Sequence, residues 1–140
     1  IFMFKKIITI AFIAVAIGVT FYIGSEPVFA GFTDRLNVYC FYNSSNAVTL
    51  NTSVFGSRFI LSKTGESFSV ASGEIDPEEF IKKMDGKLIW TEKTEEGTGY
   101  YAFSEKIRYK KTVNGKTFNI HVFVGKEKTT VGTPMIYGSY

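Results

Sequence analysis

The densest basic stretch of the chain holds three cations, Lys106, Arg108 and Lys110, each separated from the next by one residue. Side chains of a β-strand alternate between its two faces, so the three cations are predicted to share one face, opposite Ile107 and Tyr109. Such a row is typical of a solvated outer face, and it also attracts anionic lipid headgroups or an anionic cell-wall polymer. The three cations are the predicted binding site.

Acid–base and nucleophilic catalysis find little support in the sequence. His121 is the only histidine, and the strand pattern of residues 117–124 predicts it to be an ordinary exposed or half-buried strand residue. The chain has thirteen Asp and Glu residues, and those around residues 74–85 are explained by the capping and the dipole of a helix there. We predict no catalytic residue; the alternative is a small cell-wall hydrolase that uses a carboxylate pair.

Metal, cofactor and nucleic-acid binding are not predicted. The sequence lacks paired cysteines, calcium-loop spacing and histidine-based metal spacing. Gly97-Thr98-Gly99 lacks the lysine and the helix that follow a phosphate-binding loop. The net charge is +3, of which the first thirty residues carry +1, leaving +2 for residues 31–140. This charge is too weak to indicate nucleic acid.

Cys40 is the only cysteine, so the chain forms no internal disulfide. It lies in the apolar run from Leu36 to Tyr42, which predicts a buried strand position rather than a reactive thiol. The stability of the domain must therefore come from packing.

The first thirty residues have the three-part layout of a secretory signal peptide. Met3 is the expected initiator, and it is followed by Lys5-Lys6 and by an uncharged apolar run of eighteen residues, Ile7 to Gly24. Val28-Phe29-Ala30 then places a small aliphatic residue at −3 and alanine at −1 relative to Gly31, the pattern that precedes a cleavage site.

Two interpretations of residues 1–30 remain open, a cleaved signal peptide and a retained membrane anchor. The apolar run is longer than the usual signal core of about 7–15 residues and just long enough to span ~30 Å of hydrocarbon. The cleavage motif and the helix-breaking Pro27 favour the signal peptide. In both cases the positive residues stay in the cytoplasm, so residues 31–140 are expected to lie outside it, secreted or anchored to the cell membrane.

The chain is predicted to be α+β: an N-terminal hydrophobic helix is followed by a single domain over residues 31–140, an antiparallel β-sheet with one short amphipathic helix. The helix is expected over Pro77–Asp85, because Asp76 and Glu79 form a capping box before an apolar stripe. Asn114-Gly115 predicts a tight hairpin turn. The predicted strands are rich in β-branched and aromatic residues and cover 36–42, 47–51, 57–63, 67–72, 87–93, 99–104, 106–113, 117–124 and 129–140.

Three segments of the C-terminal half carry a family resemblance. Gly99-Tyr100-Tyr101-Ala102-Phe103-Ser104, Phe118-Asn119-Ile120-His121-Val122 and the segment from Val131 to Tyr140 resemble the closing strands of YwmB-type proteins. These are exported proteins of spore-forming Firmicutes, related in fold to the TATA-box-binding protein. The resemblance implies that fold and an exported setting, and it implies no catalytic residue. Residues 31–140 are too few for both repeated lobes of the fold, and export conflicts with a DNA-binding role.

The sequence therefore favours an envelope protein of binding or interaction type in a Gram-positive bacterium, with its molecular activity left open. The expected partner is an anionic membrane surface or cell-wall polymer. A structural role in a membrane complex is a further hypothesis, which exposed aromatic patches would favour.

Overall fold

A computed structural model of the chain describes residues 1–24, 26–40, 48–60 and 62–137. It begins with α1 (Phe2–Gly24), whose window Phe2–Thr20 has a mean hydropathy of 2.1 and no buried part. A helix of 23 residues is about 35 Å long, because each residue adds ~1.5 Å, and the hydrocarbon core of a bilayer is ~30 Å thick. α1 is thus long and apolar enough to cross a membrane.

Nine strands and two short helices follow α1 within the described part of the chain. Seven strands form one antiparallel sheet in the order β2-β1-β3-β9-β8-β5-β4, and β6 and β7 form a separate hairpin. This confirms the predicted α+β class with an antiparallel sheet. The elements are β1 (Arg35–Cys40), β2 (Val48–Ser53), α2 (Val54–Ser57), β3 (Gly65–Ala71), α3 (Pro77–Lys83), β4 (Lys87–Lys93), β5 (Gly97–Phe103), β6 (Lys111–Val113), β7 (Lys116–Phe118), β8 (Ile120–Gly125) and β9 (Lys128–Thr133).

Local signals explain α3 and the β6–β7 hairpin. The Asp76 side chain accepts the backbone N–H groups of Glu78 and Glu79 at 3.0 and 3.3 Å, which satisfies two free donors of the first turn of α3. Asn114 and Gly115 have φ angles of 50° and 77°, the left-handed conformations that a two-residue hairpin turn requires. The predictions of this helix and of this turn are confirmed.

The core lies between one face of the sheet, α3 and residues 28–32. Cys40, predicted to be buried, ends β1 half-buried against this core. The buried apolar side chains of the core include Phe29, Leu36, Val38, Phe68, Phe80, Ile81, Ala102, Ile107, Ile120, Val122 and Val131.

The opposite face of the sheet is partly covered by the β6–β7 hairpin and by residues 134–137. Phe118 of the hairpin packs edge-on against Tyr101, with ring centroids 5.1 Å apart. Tyr137 packs edge-on against Tyr39 at 5.1 Å, and its backbone N–H donates to the Tyr39 hydroxyl at 3.2 Å. Side chains on both faces of the central strands are therefore buried.

Three strand predictions differ from the structure. The described residues 57–60, 62 and 63 do not form a strand; Ser53 caps α2 by accepting the Gly56 N–H at 3.0 Å, and the chain then turns. Residues 106–110 are irregular, since the Asn119 side chain binds the backbone of Ser104 and Ile107 in place of a strand partner. The predicted last strand ends at Thr133, where Pro134 follows without an N–H to donate. The predictions over 41, 42, 47, 61 and 138–140 lie outside the described residues.

Candidate functional site

The three predicted cations lie on an irregular segment that keeps the expected alternation of exposure. Lys106, Arg108 and Lys110 are exposed, whereas Ile107 is buried and Tyr109 is half-buried. The apolar residues of the pattern anchor the segment in the core, so the alternation predicted exposure correctly although no strand forms here.

Lys106 and Arg108 line a cleft of about 370 Å³, together with Lys83 from the end of α3. Lys110 is not part of this cleft; its Nζ lies 5.9 Å from the ring centroid of Phe103. The structure therefore brings two of the three predicted cations together and adds Lys83. The remaining lining residues are Glu26, Pro27, Val28, Ala30, Gly31, Met84, Asp85 and Ile107.

Weak local contacts hold the two predicted cations of the cleft. Lys106 forms an ion pair with Asp85, and these side chains are 74% and 59% exposed. Exposed ion pairs contribute only about 0–1 kcal/mol, so this contact can be exchanged for an external anion. Arg108 donates one hydrogen bond to the Tyr109 hydroxyl at 2.7 Å, and its guanidinium has five N–H donors in total. Both groups are suited to bind a phosphate or carboxylate.

A buried carboxyl group, Glu66, binds the backbone of Phe29, whose neighbours Val28 and Ala30 line the cleft. Glu66 is fully buried on β3, and its Oε1 accepts the backbone N–H of Phe29 at 2.7 Å. Burial raises the pKa of Glu66, which the Phe29 N–H and the positive charges of Lys63 and Arg108 counteract. Burial also lowers the pKa of Lys63, against the attraction of Glu66. This carboxyl group is a structural link between β3 and the segment that follows α1.

Glu66 is not among the predicted site residues and lies between the predicted strands 57–63 and 67–72. A signal was present, because Glu66 shares its strand face with Phe68 and Val70, both of which belong to or pack on the core. Its register partners on β1 and β9 are Val38 and Thr133, both fully buried.

His121 is fully buried, so the prediction of an exposed or half-buried residue is wrong. Its Nδ1 accepts the backbone N–H of Ile136 at 3.2 Å, and its ring stacks on Tyr101 with centroids 4.3 Å apart. Burial lowers the pKa of His121 to about 4. The residue is enclosed and neutral, which suits packing rather than proton transfer with a solvent-borne substrate.

Within the described part of the chain, no group of three or more His, Cys, Asp or Glu side chains is placed to hold a metal ion. The two carboxylates of the cleft, Glu26 and Asp85, each have a basic partner instead, Arg58 and Lys106.

No protein-family model, curated protein or solved structure matches the chain. The resemblance of its C-terminal half to YwmB-type proteins therefore stays a prediction.

Proposed function

We propose that this protein is a non-enzymatic exported domain that binds the anionic lipid headgroups of the membrane through the cations of its cleft. One observation carries the proposal: the cleft wall begins at Glu26, two residues after α1 ends at Gly24. Two residues of extended chain span at most about 7 Å. A membrane that contains α1 therefore lies within reach of the cleft.

The charge pattern of α1 supports a location outside the cytoplasm. Lys5 and Lys6 lie at the N-terminal end of this helix, and no other charged residue follows before Glu26. Lysine and arginine near the end of a membrane helix favour the cytoplasmic side. The chain after α1 is then expected on the opposite side.

The charges of the cleft support phosphate as the ligand. Lys83, Lys106 and Arg108 face two carboxylates, Glu26 and Asp85, so the cleft carries a net charge of +1. Each cation near an anionic membrane surface contributes about 1 kcal/mol of attraction, within a Debye length of ~8 Å at physiological salt. Binding through this cleft should be weak alone and effective only while the domain stays close to the membrane.

The test uses the full chain in lipid nanodiscs, zwitterionic or anionic, and follows the acetylation rate of individual lysines by mass spectrometry. Anionic lipid should slow acetylation of Lys83 and Lys106 and leave Lys126 and Lys128 unaffected. Lys128 pairs with Ala71, which lies at the end of β3 opposite Glu66. The five residues from Glu66 to Ala71 correspond to about 17 Å along the strand. Salt near 1 M, where the Debye length is ~3 Å, should remove the protection.

A matched pair of variants sharpens the test. Arg108→Glu should reduce the protection of Lys106, whereas Lys126→Glu makes the same charge change away from the cleft and should leave it intact. Equal rates for Lys106 in both disc types contradict the proposal. Protection that appears only when a soluble polyphosphate polymer is added to zwitterionic discs assigns the cleft to a cell-wall polymer instead.

A second candidate, a structural role in a membrane complex, is favoured by one exposed aromatic pair. Phe55 and Phe59 are 62% and 61% exposed, with ring centroids 5.3 Å apart. Arg58, between them in sequence, forms an ion pair with Glu26 at 3.9 Å, close to the end of α1. Exposed aromatic patches of this kind are typical of protein interfaces.

A photo-crosslinker at Phe55 in the full chain tests this second candidate in cells. A specific crosslinked protein should appear at this position and should disappear when Phe59 is changed to Ser. The matched control is a crosslinker at Leu88, which is 39% exposed on β4. Phe55 directly follows β2, and β2 and β4 are opposite edges of the sheet. The same products from both positions would contradict a specific interface.

The carboxylate-pair hydrolase is less well supported by the cleft. Its carboxylates, Glu26 and Asp85, are both exposed, whereas the general acid of such a pair usually lies in an apolar pocket that keeps it protonated. Glu66 is buried in that way, but it is enclosed under residues of the core.

A further inference from the structure

We infer that α1 is retained as a membrane anchor and that the bond between Ala30 and Gly31 is not cut, because the residues just before this bond form part of the folded core. The inference rests on the proposed export and decides between the two interpretations of residues 1–30. It reverses the preference for a cleaved signal peptide that the sequence pattern gives.

The backbone around the bond is folded into consecutive turns. The N–H of Ala30 donates to the carbonyl oxygen of Pro27 at 3.3 Å, and the N–H of Phe32 donates to that of Phe29 at 3.0 Å. Proteases cut most readily at exposed, weakly hydrogen-bonded loop tips. Gly31 is exposed, but the two backbone hydrogen bonds close this segment on itself.

Phe29, at the centre of the cleavage motif, is a core residue. Its exposed fraction is 0%, and its ring centroid lies 5.1 Å from that of Phe68 on β3 and 6.0 Å from that of Phe80 on α3. Signal-peptide residues leave with the leader and normally contribute nothing to the mature fold. A cut after Ala30 would remove this ring and leave a cavity between the sheet and α3.

The same cut would remove the hydrogen-bond donor of a buried carboxyl group. Oε1 of Glu66 accepts the Phe29 N–H at 2.7 Å, and a backbone hydrogen bond from Val28 also lowers the pKa of this carboxyl group. A carboxyl group that is left in a buried position without its hydrogen-bond donor is unfavourable. Glu66 is therefore matched to a chain that keeps Phe29.

Further contacts tie residues 26–32 to the domain. Pro27 is buried, and Phe32 packs edge-on against Phe80 at 4.8 Å. α1 itself contributes no buried surface over Phe2–Thr20, and an apolar surrounding such as a bilayer would cover it. In the N-terminal part of the chain, α1 is thus suited to a membrane, and the residues after it pack on the core.

The experiment uses the full chain, expressed in a Gram-positive host. Intact cells are treated with an external protease, and protein from untreated cells is extracted, weighed by mass spectrometry and sequenced from its N terminus. We expect a protease-accessible domain that is extracted only with detergent and still carries α1. A protein in the medium that begins at Gly31 overturns this inference and leaves the proposed export intact. A domain protected from the protease overturns both.

An Ala30→Arg variant supplies a mass reference that a signal peptidase cannot cut, since the position before the bond must be small. Ala30 lines the open cleft, which leaves room for a longer side chain. Wild type and variant should show the same membrane fraction and masses that differ only by the substitution. A wild-type protein lighter than the variant by residues 1–30 contradicts retention.

Discussion

The ring of Tyr101 stacks on the imidazole of His121, with centroids 4.3 Å apart and planes 14° from parallel. The two residues are register partners on β5 and β8, and Trp90, the register partner of Tyr101 on β4, stacks on its other side at 4.1 Å. The sheet register thus aligns three rings in one column, and His121 is its fully buried end.

Protonation of His121 should destabilise the domain in acid. Burial lowers the pKa of His121 from 6.5 to about 4, so the folded state holds the neutral form and the unfolded state takes up the proton first. The free energy of unfolding is then unaffected above pH 6.5 and falls between pH 6.5 and 4, by about 3 kcal/mol at 1.36 kcal/mol per pKa unit. Urea unfolding of the detergent-solubilised full chain at pH 7 and pH 4 measures this loss.

A His121→Asn variant separates His121 from the other titrating groups. The amide oxygen of Asn can accept the Ile136 N–H in place of Nδ1, but Asn does not titrate. The variant should be less stable than wild type at pH 7, because the ring stack is lost, and should lack the decline of the wild type between pH 6.5 and 4. An equal decline in both proteins contradicts the assignment to His121.

Local chemistry decided which parts of this fold the sequence predicts well. Asp76 and Pro77 specify the start of α3, and Asn114-Gly115 specifies a turn, because each acts on backbone groups within a few residues. The apolar character of α1 is equally local. These elements agree with the structure.

Contacts distant in sequence decided the rest. His121 is buried because residues 134–137 and the β6–β7 hairpin return over the face that its alternation assigned to solvent. Glu66 is buried because it meets Phe29, 37 residues earlier in the chain. Lys110 leaves the cleft because side-chain hydrogen bonds of Asn119 prevent a strand at residues 106–110. No pattern within one segment contains this information.

Truncation of Phe29 should strongly destabilise the domain if residues 28–30 are structural. Phe29→Ala removes a fully buried ring, and such changes cost about 3–5 kcal/mol. Urea unfolding of the full chain in detergent measures the change. Phe55→Ala is the matched control, since this ring is 62% exposed and exposed substitutions usually cost under ~0.5 kcal/mol. Similar stabilities for the two variants would show that Phe29 is not part of the core in solution.

Glu66 should tolerate an amide better than a truncation. Glu66→Gln keeps an oxygen that accepts the Phe29 N–H and cannot take up the charge that burial disfavours, so the stability at pH 8 should stay equal or rise. Glu66→Ala leaves that N–H without an acceptor and should cost about 1–3 kcal/mol. The raised pKa of Glu66 means that the folded state takes up the proton first. The contribution of Glu66 to the stability therefore becomes more favourable as the pH falls through its folded pKa, and Glu66→Gln should abolish this trend. A Glu66→Ala variant that is more stable than Glu66→Gln would contradict the contact with Phe29.

Lys110 should be separable from the other two predicted cations. Only Lys106 and Arg108 line the cleft, while Lys110 lies over the ring of Phe103. In the full chain reconstituted in anionic nanodiscs, Arg108→Glu should reduce the salt-sensitive protection of Lys106 from acetylation, because a carboxylate repels the headgroup phosphates within a Debye length of ~8 Å. Lys110→Glu makes the same change of two charges in the same segment and should leave the protection nearly intact.

Thermal stability should be nearly unchanged in both variants, since both residues are exposed. Equal losses in the two variants would mean that the general charge of the segment, rather than the cleft, attracts the membrane.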